Sequence, residues 1–246
     1  MDKDFFAIIE YTAQKGIQPV IFTDGATMMR DLAFIKRVKD LGASVVPKCD
    51  SLYDNEYQNW VVGDETGRYF YERNEVIELL IDEGFNKIEM DGTTRLGFDM
   101  VISRGNLSEV ADTLTFCRQN NLWIVFSFYL PAGRSGSKEF EKYKWLVPSE
   151  EEKTQLRRTI EKIDRNCFGF VHPVLNNFVT MPCVERLQIY GDGRVSPCPG
   201  NETCIGHIQT DSIGDLSKKI LVDFPGHNPE CFEGHCLYRP RIKEDN

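Results

Sequence analysis

Over roughly the first 130 residues, short β-rich apolar runs alternate with longer segments whose apolar positions recur every three or four residues. Phe5, Ile8, Ile9 and Thr12 share one face of a predicted helix over residues 4–15, which opens at Asp4. Pro19-Val20-Ile21-Phe22-Thr23 is a predicted strand ended by Asp24-Gly25, and Met29, Leu32, Ile35 and Val38 mark a helix over 29–41 that stops at Gly42. Residues 43–46 give a second strand. A helical region broken by Gly63 and Gly67 follows, then a helix over 74–83 that stops at Gly84. Residues 87–90 and 98–103 make a third strand region, Asn106 or Ser108 caps a helix running to Gln119, and residues 122–129 are a fourth, nearly all-apolar strand. Continuous Val/Ile/Phe runs suit parallel strands covered on both faces, and their alternation with helices reads as βα units in an open sheet or an arc of a barrel.

Beyond residue 130 the pattern changes. Residues 131–150 are loop-like, with Arg134 in a Gly/Ser stretch, and a charged helix over 149–164 turns Leu156, Ile160 and Ile163 inward. Residues 184–190 alternate, Gly191-Asp192-Gly193 is a hairpin signal, and residues 194–197 return. A second, small domain is expected to begin near Cys183, which divides the chain into 1–182 and 183–246.

Composition narrows the functions available. Hydrophobic residues make up 41% of the 246, enough for a core, and the net charge of −9 provides no basic face for a nucleic-acid backbone or an anionic lipid surface. No apolar run approaches the roughly 18 residues of a membrane span. The acidic Met1-Asp2-Lys3-Asp4 start is unlike a secretory leader, so a cytoplasmic location is expected. In a reducing compartment the eight cysteines are not structural disulfides. Cys49, Cys117 and Cys167 are scattered and read as small buried side chains, whereas Cys183, Cys198, Cys204, Cys231 and Cys236 gather in the tail. Two pairs of thiolates from separate segments suit tetrahedral zinc or a [4Fe–4S] cluster, and a tail this poor in apolar residues needs a cross-link to stay folded. The first four named by spacing are Cys183, Cys198, Cys231 and Cys236, with Cys204 in reserve; His207 and His235 are further possible ligands.

Cys183-x9-Gly193-x4-Cys198, followed by Ile205-Gly206-His207-Ile208 and Ser212-Ile213-Gly214-Asp215-Leu216, resembles the SPASM/twitch domain of radical S-adenosylmethionine enzymes. The family's usual Gly-Asn-Ile is Gly-His-Ile here. The βα region agrees. Phe22-Thr23-Asp24-Gly25 resembles the end of the family's third barrel strand, residues 48–52 occupy the fourth-strand position, and Ile102-Ser103-Arg104-Gly105-Asn106 and residues 126–131 resemble the ends of strands five and six. The resemblance implies an α/β fold: strands three to six of a partial (β/α)6 barrel, plus a C-terminal β-hairpin domain holding an auxiliary [4Fe–4S] cluster. It also implies cofactor contacts at Lys48, Ser51, Arg104 and Asn106, with Phe126, Phe128, Tyr129 and Arg134 as weaker candidates for a pocket.

The family's Cys-x3-Cys-x2-Cys triplet and the Gly-Gly-Glu-type motif after it do not occur in this sequence, so Met1 reads as following the first strands of an N-terminally truncated member. An intact enzyme would use a second [4Fe–4S] cluster, S-adenosylmethionine and a reductant such as a ferredoxin or flavodoxin to generate a 5′-deoxyadenosyl radical. A peptide is one candidate for its otherwise unknown substrate. Two alternatives stand beside this reading: a non-catalytic iron–sulfur or zinc protein, including a subunit of a split enzyme, and an ordinary α/β enzyme with a zinc-stapled tail. For the last of these there is no nucleophile elbow, Gly-rich phosphate loop or His-Glu motif.

Overall fold

Asp31 starts one helix and Asp54 another by accepting the backbone N–H groups of Ala33 and Tyr57, both at 2.9 Å. Gly42 and Gly63 end these helices at φ of +71° and +75°, a region that costs other residues energy. The computed structural model describes residues 4–26, 31–90, 92–129, 138–169, 187–197 and 203–223. The chain divides into two compact units; residues 4–129 and 138–169 belong to the first, 187–197 and 203–223 to the second.

In the first unit the order is α1 (Phe5–Gln14), β1 (Val20–Thr23), α2 (Leu32–Asp40), β2 (Ser44–Pro47), α3 (Asn55–Val62), α4 (Tyr69–Asp82), β3 (Gly97–Ile102), α5 (Val110–Gln119), β4 (Trp123–Phe128) and α6 (Glu150–Ile163). A short 3-10 turn, Leu107–Glu109, leads into α5; a second, Lys138–Leu146, precedes α6; a π turn, Asp164–Phe168, ends it. The strands form two parallel pairs, β1 with β2 (Val20 opposite Ser44) and β3 with β4 (Gly97 opposite Trp123). Single bridges at Val45–Leu96 and Lys48–Asp99 join the pairs, so all four strands run side by side in chain order and in one direction.

Parallel partners point their side chains to the same face, so this register sorts the strand residues. Val45, Phe98, Met100, Ile102, Ile124 and Phe126 face the helices and form the core with Ile9, Ile35, Val38, Val76, Ile77, Leu80, Leu114, Leu156 and Ile160. Each such fully buried side chain contributes about 1.5–3 kcal/mol relative to exposure. The alternate residues, Phe22, Val46, Lys48, Asp99, Val101, Trp123, Val125 and Ser127, lie on the opposite face and outside that core. This opposite side is the inner face of the sheet.

Two expectations change. The helix expected over 74–83 begins at Tyr69, because Phe70 and Arg73 also turn inward and Asp64 accepts the N–H groups of Arg68 and Tyr69 at its start. Residues 87–90 are a loop rather than strand, with Ile88 and Met90 exposed; β3 itself takes the place beside β2.

The second unit is an antiparallel sheet of β5 (Gln188–Ile189), β6 (Arg194–Ser196) and β7 (Gly206–His207) with α7 (Ile213–Asp223). Its small core is Val195, Ile205, Leu216 and Ile220, with Leu187 against it. The predicted hairpin forms, with Gly193 at φ +89°.

Candidate binding site at the strand ends

The β2 and β3 chains leave the sheet through polar segments, Lys48-Cys49-Asp50-Ser51 and Ser103-Arg104-Gly105-Asn106, that bind to one another. Asn106 is buried and donates from Nδ2 to the carbonyls of Asp50 (2.6 Å) and Val101 (2.9 Å), while its Oδ1 accepts from the Ser103 N–H (2.8 Å). Asp50 Oδ1 accepts from the Val101 N–H at 2.8 Å. Ser51 Oγ donates to Glu109, 2.7 Å from Oε2, and accepts from the Asp54 N–H at 2.7 Å. Ser51 N–H meets Gln58 Oε1 at 2.8 Å, and Tyr57 Oη lies 2.6 Å from Ser103 Oγ. Gly105 admits the Tyr57 ring: a Cβ there would stand 3.0 Å from Cδ2 and Cζ and closer still to Cε2.

Alternation sends Lys48 and Cys49 to opposite sides. Lys48, on the inner face, places Nζ 3.0 Å from Asp50 Oδ1 and 3.2 Å from Asp99 Oδ2. Burial opposes its charged form, but the two carboxylates more than offset that, so its pKa lies above the ordinary lysine value. Burial likewise raises the Asp50 carboxyl above the usual carboxylate range, against the pull of Lys48 and the Val101 N–H. Cys49 is fully buried on the helix side, and desolvation pushes its thiol up to about 11 against the opposing charge of Arg73. A thiol so placed is unreactive. Arg73 is itself fully buried; its Nη2 donates to the Ser51 carbonyl at 2.7 Å, while Nε and Nη1 have no hydrogen-bond partner. Burial also pushes the Tyr57 hydroxyl up to about 12, against its bond to Ser103.

The residues expected to meet a cofactor thus separate. Lys48 faces the inner side, 30% exposed. Ser51 and Asn106 are buried and spend their hydrogen bonds holding the two loops together. Arg104 turns away: its N–H donates to the Leu146 carbonyl at 2.9 Å and its Nε to Glu152 at 2.8 Å. Phe126 belongs to the helix-side core, and the Tyr129 N–H continues the β3–β4 ladder to the Ile102 carbonyl at 2.7 Å. Arg134 lies outside the described residues. Asp50, Asp99, Arg73 and Glu109 were not singled out from sequence. Asp99 carried a readable signal, a lone charge inside Gly-Phe-Asp-Met-Val-Ile, and so did Arg73, in step with Val76, Ile77 and Leu80 on the core-facing side of α4.

An open groove of about 1070 Å³ lies between Leu107–Ala111 and the start of α6, lined by Glu150, Glu151 and Glu152 among others. None of the strand-end residues lines it, and its shallow acidic walls offer no converging set of groups. The chemistry gathers at the strand ends, where open parallel sheets and barrels bind ligands.

In the second unit Cys204 is exposed beside β7, its Sγ 3.4 Å from the Gly206 carbonyl. Cys183, Cys198, Cys231 and Cys236 lie outside the described residues, as does His235. His207 is not free to bind a metal: Nε2 donates to the Asp192 carbonyl at 2.8 Å and Nδ1 accepts from the Gln209 N–H at 3.2 Å. Its ring covers Gly193, where a Cβ would stand 2.5 Å from Cε1. This gives the histidine in Gly206-His207-Ile208 a structural use. Among the described residues no three His, Cys, Asp or Glu side chains converge to hold a metal, and no helix is long and apolar enough to cross a membrane.

No protein-family model matches the chain. It is 24% identical over 220 residues to a GTP 3′,8-cyclase of Listeria welshimeri, a match covering 74% of this chain and 62% of that protein. A GTP 3′,8-cyclase of Listeria monocytogenes serotype 4b is 23% identical over 209 residues with the same coverage, and one of serovar 1/2a is 26% identical over 133 residues, 47% of this chain and 39% of that protein. The matched part thus spans less than two thirds of these relatives' length. These similarities, at 23–26% identity, agree at a coarse level with the family resemblance read from the sequence.

Proposed function

We propose that this chain is the later part of a radical S-adenosylmethionine protein. Its strands β1 to β4 correspond to strands three to six of a partial barrel, and residues 183–246 form a SPASM/twitch-like domain that holds an auxiliary [4Fe–4S] cluster. The observation that carries the reading is the hairpin spaced between Cys183 and Cys198, turning at Gly193 as the motif requires. The five tail thiolates are soft donors suited to iron–sulfur or zinc. Four of them, Cys183, Cys198, Cys231 and Cys236, would be the ligands, with Cys204 the alternate. When bound, such a cluster relays an electron or ligates the substrate.

The residues of this chain supply binding and orientation. Lys48 and Asp99 present charge on the inner face, and Asn106, Asp50, Ser51 and Glu109 hold the strand ends in register. The thiolate triplet of the catalytic cluster is not among these 246 residues, so no radical step is derived for this chain alone. Acting with a separate polypeptide that supplies that triplet, or as a cluster-binding protein without catalysis, fits the same residues. A peptide remains the proposed substrate and a ferredoxin or flavodoxin the proposed reductant. The acidic balance and the absence of a basic stripe from the sequence favour neither nucleic acid nor membrane as partner.

The test is to reconstitute the full chain anaerobically and measure iron, sulfide and zinc. About four irons and four sulfides per chain support the cluster; zinc without sulfide sinks it. Cys183→Ala or Cys198→Ala abolishes the cluster, and Cys49→Ala does not. Loss with Cys204→Ala but not with Cys231→Ala would reassign the ligands.

A further inference from the structure

The hydrogen bonds of β1 run to one side. The Pro19 and Thr23 carbonyls accept from Ser44 and Lys48 of the β2 chain at 2.9 and 2.8 Å. Backbone groups alternate along a strand, so Val20 and Phe22 carry their N–H and C=O on the opposite edge, where no strand stands among the described residues. Edges of this kind are ordinarily blunted by charge, proline, bulges or a covering element. Here residues 16–23 contain no charge, and Pro19 turns its backbone toward β2 rather than outward. Helix α1 extends the same flank. Phe6 packs on Phe34 with ring centroids 5.0 Å apart and Glu10 pairs with Arg37 at 2.6 Å, so α2 lies on that side of α1. At 3.6 residues per turn, Ile8, Tyr11 and Lys15 occupy the other side. Ile8, Tyr11, Ile17, Val20 and Phe22 are between 49% and 63% exposed, a contiguous apolar border along α1 and β1.

We propose that a second copy of this chain covers this border, the two β1 strands pairing antiparallel about a two-fold axis perpendicular to the sheet. With the axis beside Ile21, Val20 of each copy stands opposite Phe22 of the other, a β-branched–aromatic pair that exchanges its backbone hydrogen bonds. The same axis sets the two α1 helices side by side, Ile8 and Tyr11 against their counterparts. Two features select a second copy as the occupant. Lys15 lies at one end of the uncharged stretch and Asp24 at the other, so antiparallel copies bring unlike charges together at both ends, and parallel copies would set like beside like. The area also suffices. At about 150 Å² or more for each large side chain, the exposed fractions leave about 400 Å² per chain and about 800 Å² per pair. Adding the strand backbone brings this close to the roughly 1,000 Å² of a specific interface. The pairing does not depend on the cluster of the proposed function.

The experiment is sedimentation equilibrium of the full, anaerobically purified chain between about 1 and 100 µM, the range in which an interface of this size associates. A monomer–dimer equilibrium is expected. Val20→Lys and Phe22→Lys should each weaken the dimer at least about tenfold, since each buries a charge opposite an apolar partner. Val222→Lys on α7, equally apolar and exposed but in the second unit, should leave it intact. Lys15→Glu and Asp24→Lys should each weaken association about threefold, and the two together should restore it, because the exchanged charges again meet unlike partners. Far-UV circular dichroism of each variant separates a lost interface from a lost fold, and Ile8→Lys on the outside of α1 keeps the test if a strand variant does not fold. A chain that stays monomeric at the highest concentration overturns the inference. So does a dimer indifferent to Val20→Lys and Phe22→Lys, one lost with Val222→Lys, or a charge exchange that fails to restore association. Iron and sulfide measured on the same samples separate the two readings. A cluster-loaded monomer sinks this inference alone; a dimer with zinc and no sulfide sinks the proposed function alone.

Discussion

Gly97 opens β3 directly opposite Trp123, which opens β4, and the indole lies across it on the inner face. A Cβ at Gly97 would stand 2.6 Å from Trp123 Cε3 and closer still to Cδ2 and Cε2. Cδ2 and Cε2 are the ring-fusion atoms and Cε3 adjoins them, not the free end of a flexible chain, so Gly97→Ala forces either the whole indole off the strand or β3 away from β4. Overpacking of this kind costs about 1–3 kcal/mol. Opposing it, alanine in a strand recovers roughly 0.5–1 kcal/mol of backbone entropy. The overlap involves a rigid ring and two hydrogen-bonded strands, so the steric cost belongs at the upper end and the net loss is about 2 kcal/mol. For a chain of this size that lowers the melting temperature by about 4–8 °C.

The assay is thermal denaturation by far-UV circular dichroism, with amide exchange at Phe98 and Met100 to localise the loss. The decisive comparison is a double-mutant cycle with Trp123→Leu, in which the space above Gly97 opens. In that background Gly97→Ala should be neutral or slightly stabilising, giving a coupling of about 2 kcal/mol. A single Gly97→Ala that melts like wild type, or one equally costly with and without the indole, would show that the ring does not occupy this space.

Asp50→Ala leaves the Val101 N–H without its acceptor and Lys48 without one of its two carboxylates. It should cost about 2–4 kcal/mol in urea denaturation, and Asp50→Asn, which keeps an acceptor for Val101, less than half of that. Asp64 accepts the hydroxyl of Thr66 and the backbone N–H groups of Tyr69, Thr66 and Arg68, which lowers its pKa to about 2. A carboxylate depressed in the folded state stabilises above its unfolded value, near 4, and loses that contribution as pH falls toward 2. Asp64→Ala should therefore flatten the stability profile between those values, and an NMR midpoint near 4 for Asp64 would contradict the assignment. At the start of α6, Ser149 accepts the Glu152 N–H at 3.2 Å and Glu152 accepts the Ser149 N–H at 2.6 Å. Removing that cap with Ser149→Ala should cost about 1 kcal/mol by thermal melt, and equal stability would make the cap dispensable.

The elements of the first unit were legible because their periods differ, and the parallel arrangement followed from apolar strands separated by helices. The misreadings have physical causes. Residues 87–90 alternate like a strand, but alternation alone cannot supply a neighbour, and β3 already occupies the place beside β2. The start of α4 was missed because Arg73 is a charge at a core position, which interrupts the apolar stripe on which the helix was read. At the site, sequence position could put Lys48, Ser51, Arg104 and Asn106 at the strand ends, but it could not say which of their hydrogen bonds the fold itself consumes. Small polar side chains there are in demand by the loops: Asn106 and Ser51 are used up in joining β2 to β3. Asp99 was passed over because a charge in an apolar strand looks like an imperfection until the register sets it beside Lys48.

Stability alone does not explain the charges at this end of the sheet. Moving an ion out of water costs several kcal/mol, and well-packed apolar replacements of buried ion pairs are often neutral or stabilising. Among the described residues the buried pair Arg118–Asp164 is well matched, two guanidinium nitrogens meeting both carboxylate oxygens at 3.0 and 3.3 Å. At the strand ends the matching is incomplete: Arg73 keeps two nitrogens and Asp50 one oxygen without hydrogen bonds, although both residues are buried. A network that only held β2 to β3 could have been finished, as Asn106 finishes its own part with three bonds. Of these, Asp50 stands where β2 leaves the sheet, at the carboxyl end where parallel strands present their ligand sites, with its Oδ1 3.0 Å from Lys48 Nζ, so its buried, unpaired Oδ2 lies at the one edge of the sheet where a bound molecule could complete it.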